Sequence, residues 1–195
     1  MNYISRVAGL VCISLAMGAC TTPAPPPPAP APATPTPSPV ERGKYIVNTA
    51  GCNDCHTPFK MGPAGPEPDM SRMLSGHPEG LKVTQQFKTQ GPFVAGVNET
   101  FTAWSGPWGI SYTANLTPDK NTGLGIWTED MFMKAIRDGK HMGTSRPILP
   151  PMPWAVYRNL TDDDLKAVFA YLQSIPPIAN RVPDPVIIEP GPPKK

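Results

Sequence analysis

The chain has 195 residues, 29 of them proline, and a net charge of +2 from 17 Lys+Arg against 15 Asp+Glu. That balance, with 8% aromatics, excludes a strongly basic nucleic-acid binder, and four cysteines exclude a disulfide-dense scaffold. Ten prolines fall in 23–39 and seven in 176–195, a distribution that predicts disordered arms flanking one domain with a single modest core.

Residues 1–19 read as a bacterial export signal. Arg6 supplies the positive start, Val7 to Met17 is mostly apolar, and Gly18 and Ala19 are the small residues a peptidase needs. The run Leu15-Ala16-Met17-Gly18-Ala19-Cys20 resembles a lipobox. Cys20 is then the lipidated mature N-terminus, and the acyl chains hold the protein at a membrane surface. Residues 20–39 form the Pro-rich linker. Its Pro, Ala, Thr and Ser side chains build no core, and a polyproline II run at about 3.1 Å per residue spans roughly 50 Å.

The body, 40–175, opens with Gly43, Ile46, Val47 and Ala50 on one helical face. Cys52-Asn53-Asp54-Cys55-His56 follows at once and is C-x-x-C-H, the attachment signature of c-type haem. Two thiols three positions apart can add to the two vinyl groups on one porphyrin edge. The next residue then lies under the ring, where the imidazole of His56 reaches the iron. A zinc site would need two more ligands, and a disulfide redox pair would be expected beside a βαβ pattern, which the sequence lacks. One motif predicts one covalent haem c.

From Thr57 to Ser111 the chain is rich in Gly and Pro and reads as a long loop insert, with a possible helical turn from Asp69 to Leu74. Lys82 to Phe87 is the nearest approach to strand alternation. Thr128 caps a helix to Asp138, with Glu129 and Asp130 in its first turn, Phe132, Ala135 and Ile136 inward, and Gly139 at its end. Thr161 caps a second, with Asp162 to Asp164 at its positive pole, Leu165, Val168, Phe169 and Leu172 on one face, and Pro176 as the stop. The class expected is all-α. The Pro-rich tail 176–195 is expected to be non-helical.

The second axial ligand of the iron has several candidates. Met152 lies in Pro147-Ile148-Leu149-Pro150-Pro151-Met152-Pro153-Trp154, where flanking prolines restrict the loop and preorganise a weak thioether ligand. His141 and then His77 are the competitors; Met61, Met70 and Met73 lie too soon after the motif, and Met131 reads as core. Trp104, Trp108, Trp127 and Trp154 either wall the ring and donate to its carboxylates or, the safer reading, fill the core. Arg146 is a candidate partner for a haem carboxylate.

The body resembles class I cytochromes c, above all the haem domains of the cytochrome subunits of membrane-associated alcohol and gluconate dehydrogenases. The carrying residues are Glu41 to Tyr45, Cys52 to His56, the run Tyr112 to Asp119 continuing through Thr122 to Thr128, Pro150 to Trp154, and Leu160 to Asp164. The resemblance implies covalent haem on Cys52 and Cys55, axial His56 and Met152, and crossed N- and C-terminal helices. It departs in motif number: those subunits carry several C-x-x-C-H motifs and this chain one. The function expected is a periplasmic one-electron carrier, not an enzyme, lipid-anchored through Cys20. It passes electrons from a dehydrogenase or respiratory donor to a downstream acceptor such as another cytochrome or an oxidase. The alternatives are a peroxidase-like haem enzyme or a haem-based gas or redox sensor with a labile sixth ligand.

Overall fold

The computed structural model describes residues 35–83, 85, 86 and 91–188. The export signal, Cys20 and most of the Pro-rich linker lie outside the described residues.

Helix α1 runs Pro39–Thr49. Ser38 begins it with a reciprocal cap: its hydroxyl accepts from the Glu41 N–H at 3.3 Å, and the Glu41 carboxylate accepts from the Ser38 N–H at 2.8 Å. Pro39 sits at the first helical position, where its missing N–H costs nothing. Helix α2, Cys52–His56, follows after Gly51. Helices α3, Glu129–Asp138, α4, Trp154–Tyr157, and α5, Asp162–Ser174, complete the helical set. Thr128 and Thr161 cap α3 and α5 as expected, accepting from the N–H groups of Met131 and Asp164 at 3.2 and 3.1 Å. Gly139 ends α3, and the turn expected near Asp69 is a 3₁₀ turn over Met70–Arg72.

Helices α1 and α5 cross at Gly43. A Cβ there would run into the backbone carbonyl of Ala167, so only glycine lets the backbones approach this closely. The crossing seals the core: Ile46 and Val47 of α1 meet Leu165, Val168, Phe169 and Leu172 of α5, with Phe132 and Ile136 of α3 against them. The Phe132 and Phe169 rings stack tilted at 5.3 Å. Each such side chain contributes about 1.5–3 kcal/mol on burial.

The all-α expectation needs correction. The crossed helical core is as expected, but the stretch read as a loop carries strands. β1, Phe59–Gly62, and β2, Gly65–Pro68, form an antiparallel hairpin. β3, Gly96–Val97, β4, Ala103–Gly106, β5, Gly109–Tyr112, and β6, Val186–Ile187, form an antiparallel sheet in that order. None exceeds four residues, too short for alternation to register as a pattern. Pro66 and Pro68 sit in a two-stranded ribbon, where a missing N–H is tolerated on the open side. Lys82 to Phe87 holds no strand among its described residues.

The described part of the tail, 176–188, is non-helical, as expected, yet it is packed rather than loose. It crosses the body and ends as β6 against β5, pairing Val186 with Ile110 and Ile187 with Gly109.

Candidate functional site

The site begins with a change of direction. Gly51 takes φ 74°, the left-handed region open to glycine, and so turns the chain from α1 into α2. One helical turn then carries Cys52, Cys55 and His56. Thr57, fully buried behind it, locks the turn: its hydroxyl donates to Asn53 Oδ1 at 3.0 Å and accepts from the Leu74 N–H at 2.9 Å. Tyr157 of α4 donates to the Ala50 carbonyl at 2.6 Å and ties the α1–α2 junction to the far side of the site.

His56 is buried, and its Nδ1 lies 2.8 Å from the carbonyl oxygen of Ala114. A carbonyl only accepts, so Nδ1 carries the proton and Nε2 keeps its lone pair. Burial pushes the His56 pKa below its ordinary value, which holds the ring neutral. A neutral imidazole, oriented through its second nitrogen, is the form a metal takes.

Cys52 and Cys55 form no disulfide. Burial pushes the Cys52 thiol up to about 11 and also raises that of Cys55. Both thiols are therefore neutral at ordinary pH. Among the described residues no group of three His, Cys, Asp or Glu side chains gathers to hold a bare metal ion.

Cys52, Cys55 and His56 share one cavity of about 660 Å³ with Met152, a size ordinary for a cofactor site. Met152 is half-buried against the core. Its loop is pinned twice: Ser111 Oγ donates to the Pro150 carbonyl at 2.5 Å, and the Ile148 N–H donates to the Gly139 carbonyl at 2.8 Å. The proline-framed loop is therefore held by the end of α3 and by β5.

The other candidate ligands separate cleanly. His77 is fully buried outside the cavity, with Nδ1 at 2.9 Å from Thr102 Oγ1 and Nε2 at 2.8 Å from the Leu81 carbonyl. Both nitrogens are engaged. Met61 and Met70 are exposed, and Met73 and Met133 pack on the core. His141 does line the cavity, its ring edge-on to Trp127 at 5.3 Å. So does Met142, a thioether that sequence reasoning passed over because the helix signal ends at Gly139. The four indoles are half-buried; Trp127 packs against the core, and Trp104 and Trp127 line the cavity.

The cavity wall holds two polar atoms that are buried without a partner: Trp104 Nε1 and Thr113 Oγ1. Trp104 pairs with Ser111 across β4–β5, and Thr113 follows two positions on, the spacing of a single sheet face. Arg146 and Arg181 also line the cavity. Apolar walls, orphaned donors and cations fit a flat apolar group with acidic arms, as a haem is. Ser111 and Ala114 were invisible as site residues, since their roles arise from tertiary pairing, whereas Trp104 was one of the four indoles the sequence offered.

The cytochrome c family profile matches residues 40–176. The chain belongs to the cytochrome c family. Similar curated proteins include the fructose dehydrogenase cytochrome subunit of Gluconobacter japonicus, 30% identical over 69% of this chain and 21% of the relative. The gluconate 2-dehydrogenase cytochrome c subunit of Pantoea cypripedii is 28% identical over 72% and 24%. The alcohol dehydrogenase (quinone) cytochrome c subunit of Gluconobacter oxydans is 27% identical over 74% and 24%. The matched stretch thus spans about a quarter or less of each relative. Membership makes this chain an electron-transfer protein of covalent haem c, with Cys52 and Cys55 at the attachment spacing.

Proposed function

We propose that this chain is a single-haem carrier, not an enzyme, that shuttles electrons between periplasmic redox proteins while lipidated Cys20 holds it at a membrane. The observation that carries the reading is the convergence of Cys52, Cys55, His56 and Met152 on one cavity, with His56 turned by Ala114 so that Nε2 is free. Bound haem supplies a one-electron Fe(III)/Fe(II) couple. Cys52 and Cys55 would hold it by thioether links, and His56 Nε2 and the Met152 sulfur would be the side chains offered to its iron. The Ser111–Pro150 bond keeps the distal loop in place. With His56 and Met152 both offered to the iron, the chain would leave no position there for a substrate, which disfavours the peroxidase-like and sensor readings.

The export signal and lipobox in 1–20 support the periplasmic, anchored placement. The dehydrogenase cytochrome subunits among the relatives support a dehydrogenase as donor, and the acceptor in this reading is another cytochrome or an oxidase.

Replacing Cys52 and Cys55 together by Ala is expected to abolish haem that survives acid–acetone extraction. Persistent covalent haem in that variant would overturn the attachment. Met152→Ala is expected to keep the haem, lower the reduction potential and open the sixth position to cyanide. An unchanged potential and spectrum, with both lost in His141→Ala, would move the ligand to His141 and make the haem bis-histidine.

A further inference from the structure

The family match stops at Pro176, and the chain next does something the helical core does not require. Residues 177–188 return across the cofactor cavity. Arg181, Val182, Pro183, Asp184 and Pro185 line it. The segment is fastened at both ends. At its start, Asn180 is 3% exposed and uses its amide in full. Its NH₂ donates to the carbonyls of Ser75 and His77 at 2.7 and 2.8 Å. Its oxygen accepts from the Glu79 N–H at 2.9 Å and from Arg72 at 3.1 Å. Its own N–H donates to Thr122 Oγ1 at 3.0 Å. At the far end β6 pairs with β5, and the Ile188 N–H donates to the Trp108 carbonyl at 3.2 Å.

Between these fastenings Val182, Pro183 and Pro185 are partly buried on the cavity, while Arg181 and Asp184 are exposed, so apolar burial is only part of what sets its course. A buried amide with every donor and acceptor matched specifies one position, because any shift leaves polar groups unpaired in a dry interior. That position places five consecutive residues against the cavity.

We infer that residues 177–188 are a strap that closes the cofactor cavity, and that Asn180 is the positioning residue that seats it. The inference rests on the haem reading above. A closed strap keeps water and small anions from the iron. It also keeps the surroundings apolar, which disfavours the more positive ferric state and so raises the reduction potential.

The test uses the full haem-loaded protein, with Asn180→Ala releasing one end and Ile188→Pro removing the Trp108 bond at the other. Phe169→Leu, in the helical core and outside the cavity lining, is the control for a general loss of stability. Three quantities are read: tryptic cleavage after Arg181, the rate of cyanide binding to the ferric protein, and the reduction potential. Asn180→Ala is expected to raise the first two by about tenfold or more, as loss of several buried amide hydrogen bonds implies, and to lower the potential. Ile188→Pro should move all three in the same direction by less. Phe169→Leu should leave the potential and the cyanide rate alone. Faster cleavage after Arg181 with an unchanged cyanide rate and potential would overturn the strap, as would equal shifts in Phe169→Leu. Should Asn180→Ala not fold, Ile188→Pro decides by the same criteria. A parent protein without covalent haem would overturn both readings. A haem-bearing parent whose strap variants match it would overturn the strap alone.

Discussion

The two sides of the cavity are held by different physics. On one side, α1, α3 and α5 are joined by apolar burial around Phe132, Leu165, Phe169 and Leu172. On the other, the segments near 75–77, 98–117 and 178–188 are joined through buried polar groups. Asn115 and Asn180 are each 3% exposed, and His77, Thr102 and Thr117 are fully buried. Thr117 Oγ1 accepts from the Ile178 N–H at 3.0 Å and donates to Asn115 Oδ1 at 2.7 Å; Asn115 Nδ2 donates to the Ile178 carbonyl at 2.8 Å. Apolar burial is strong and tolerant of small shifts, whereas a polar lattice contributes less net energy but fixes position, because hydrogen bonds are directional. The attachment helix α2 adjoins the helical side. The loop of Met152 is held from both sides, by Gly139 and by Ser111, and the segment 178–188 by the polar side.

The widest separation between the two sides should appear in stability. Phe169→Ala removes the partner of Phe132 from a well-packed core, with an expected cost of about 3–5 kcal/mol by urea unfolding. The reduction potential of the folded fraction should stay at the parent value, since Phe169 is not part of the cavity wall. A large shift in potential would show that the helical side also sets the iron's surroundings.

Ser111→Ala should behave in the opposite sense. It deletes the hydroxyl that donates to Pro150 and accepts from Trp108 Nε1 at 3.3 Å, at an expected cost of only about 1 kcal/mol. The distal loop is loosened at the same time, so cyanide should displace the Met152 thioether faster in the ferric protein. An unchanged rate would mean that the Gly139–Ile148 bond alone holds the loop.

The smallest effect is a pH dependence on the polar side. Burial holds the His77 pKa below its ordinary value near 6.5. Below that ordinary value the unfolded chain binds a proton that the folded chain resists, so this contribution to stability is complete above about pH 6.5 and falls away on acidification. His77→Gln should flatten that acid limb of the urea midpoint, while the neutral-pH midpoint drops by the cost of imperfect replacement. An acid limb of the same slope in both proteins would assign the dependence to other groups.

Much of the helical side was legible before any coordinates. The Thr128 and Thr161 caps, the i, i+3, i+4 apolar spacing and the stops at Gly139 and Pro176 are local signals, each decided within one or two turns of chain. The C-x-x-C-H motif is local for the same reason: five consecutive residues carry both thiols and the imidazole. Even Met152 was marked by its own neighbours, the prolines on either side. The polar side was not legible. Strands of four residues or fewer leave no period to detect, and the Gly-Pro content that read as loop belongs instead to hairpin turns such as Gly106 to Gly109. Nothing local in Asn180 distinguishes a buried clamp from a surface amide, since its partners lie about a hundred residues earlier in the chain. The same holds for Ala114, whose side chain is irrelevant to the bond its carbonyl makes with His56. The sequence by itself determined the C-x-x-C-H attachment motif, the proline-framed Met152 and the three longer helices, because those follow from residue type and short spacing. Only the tertiary structure decided which carbonyl orients His56, which hydroxyl steadies the loop of Met152 and where the tail lies, because those bonds join backbone groups and small polar side chains far apart in the chain.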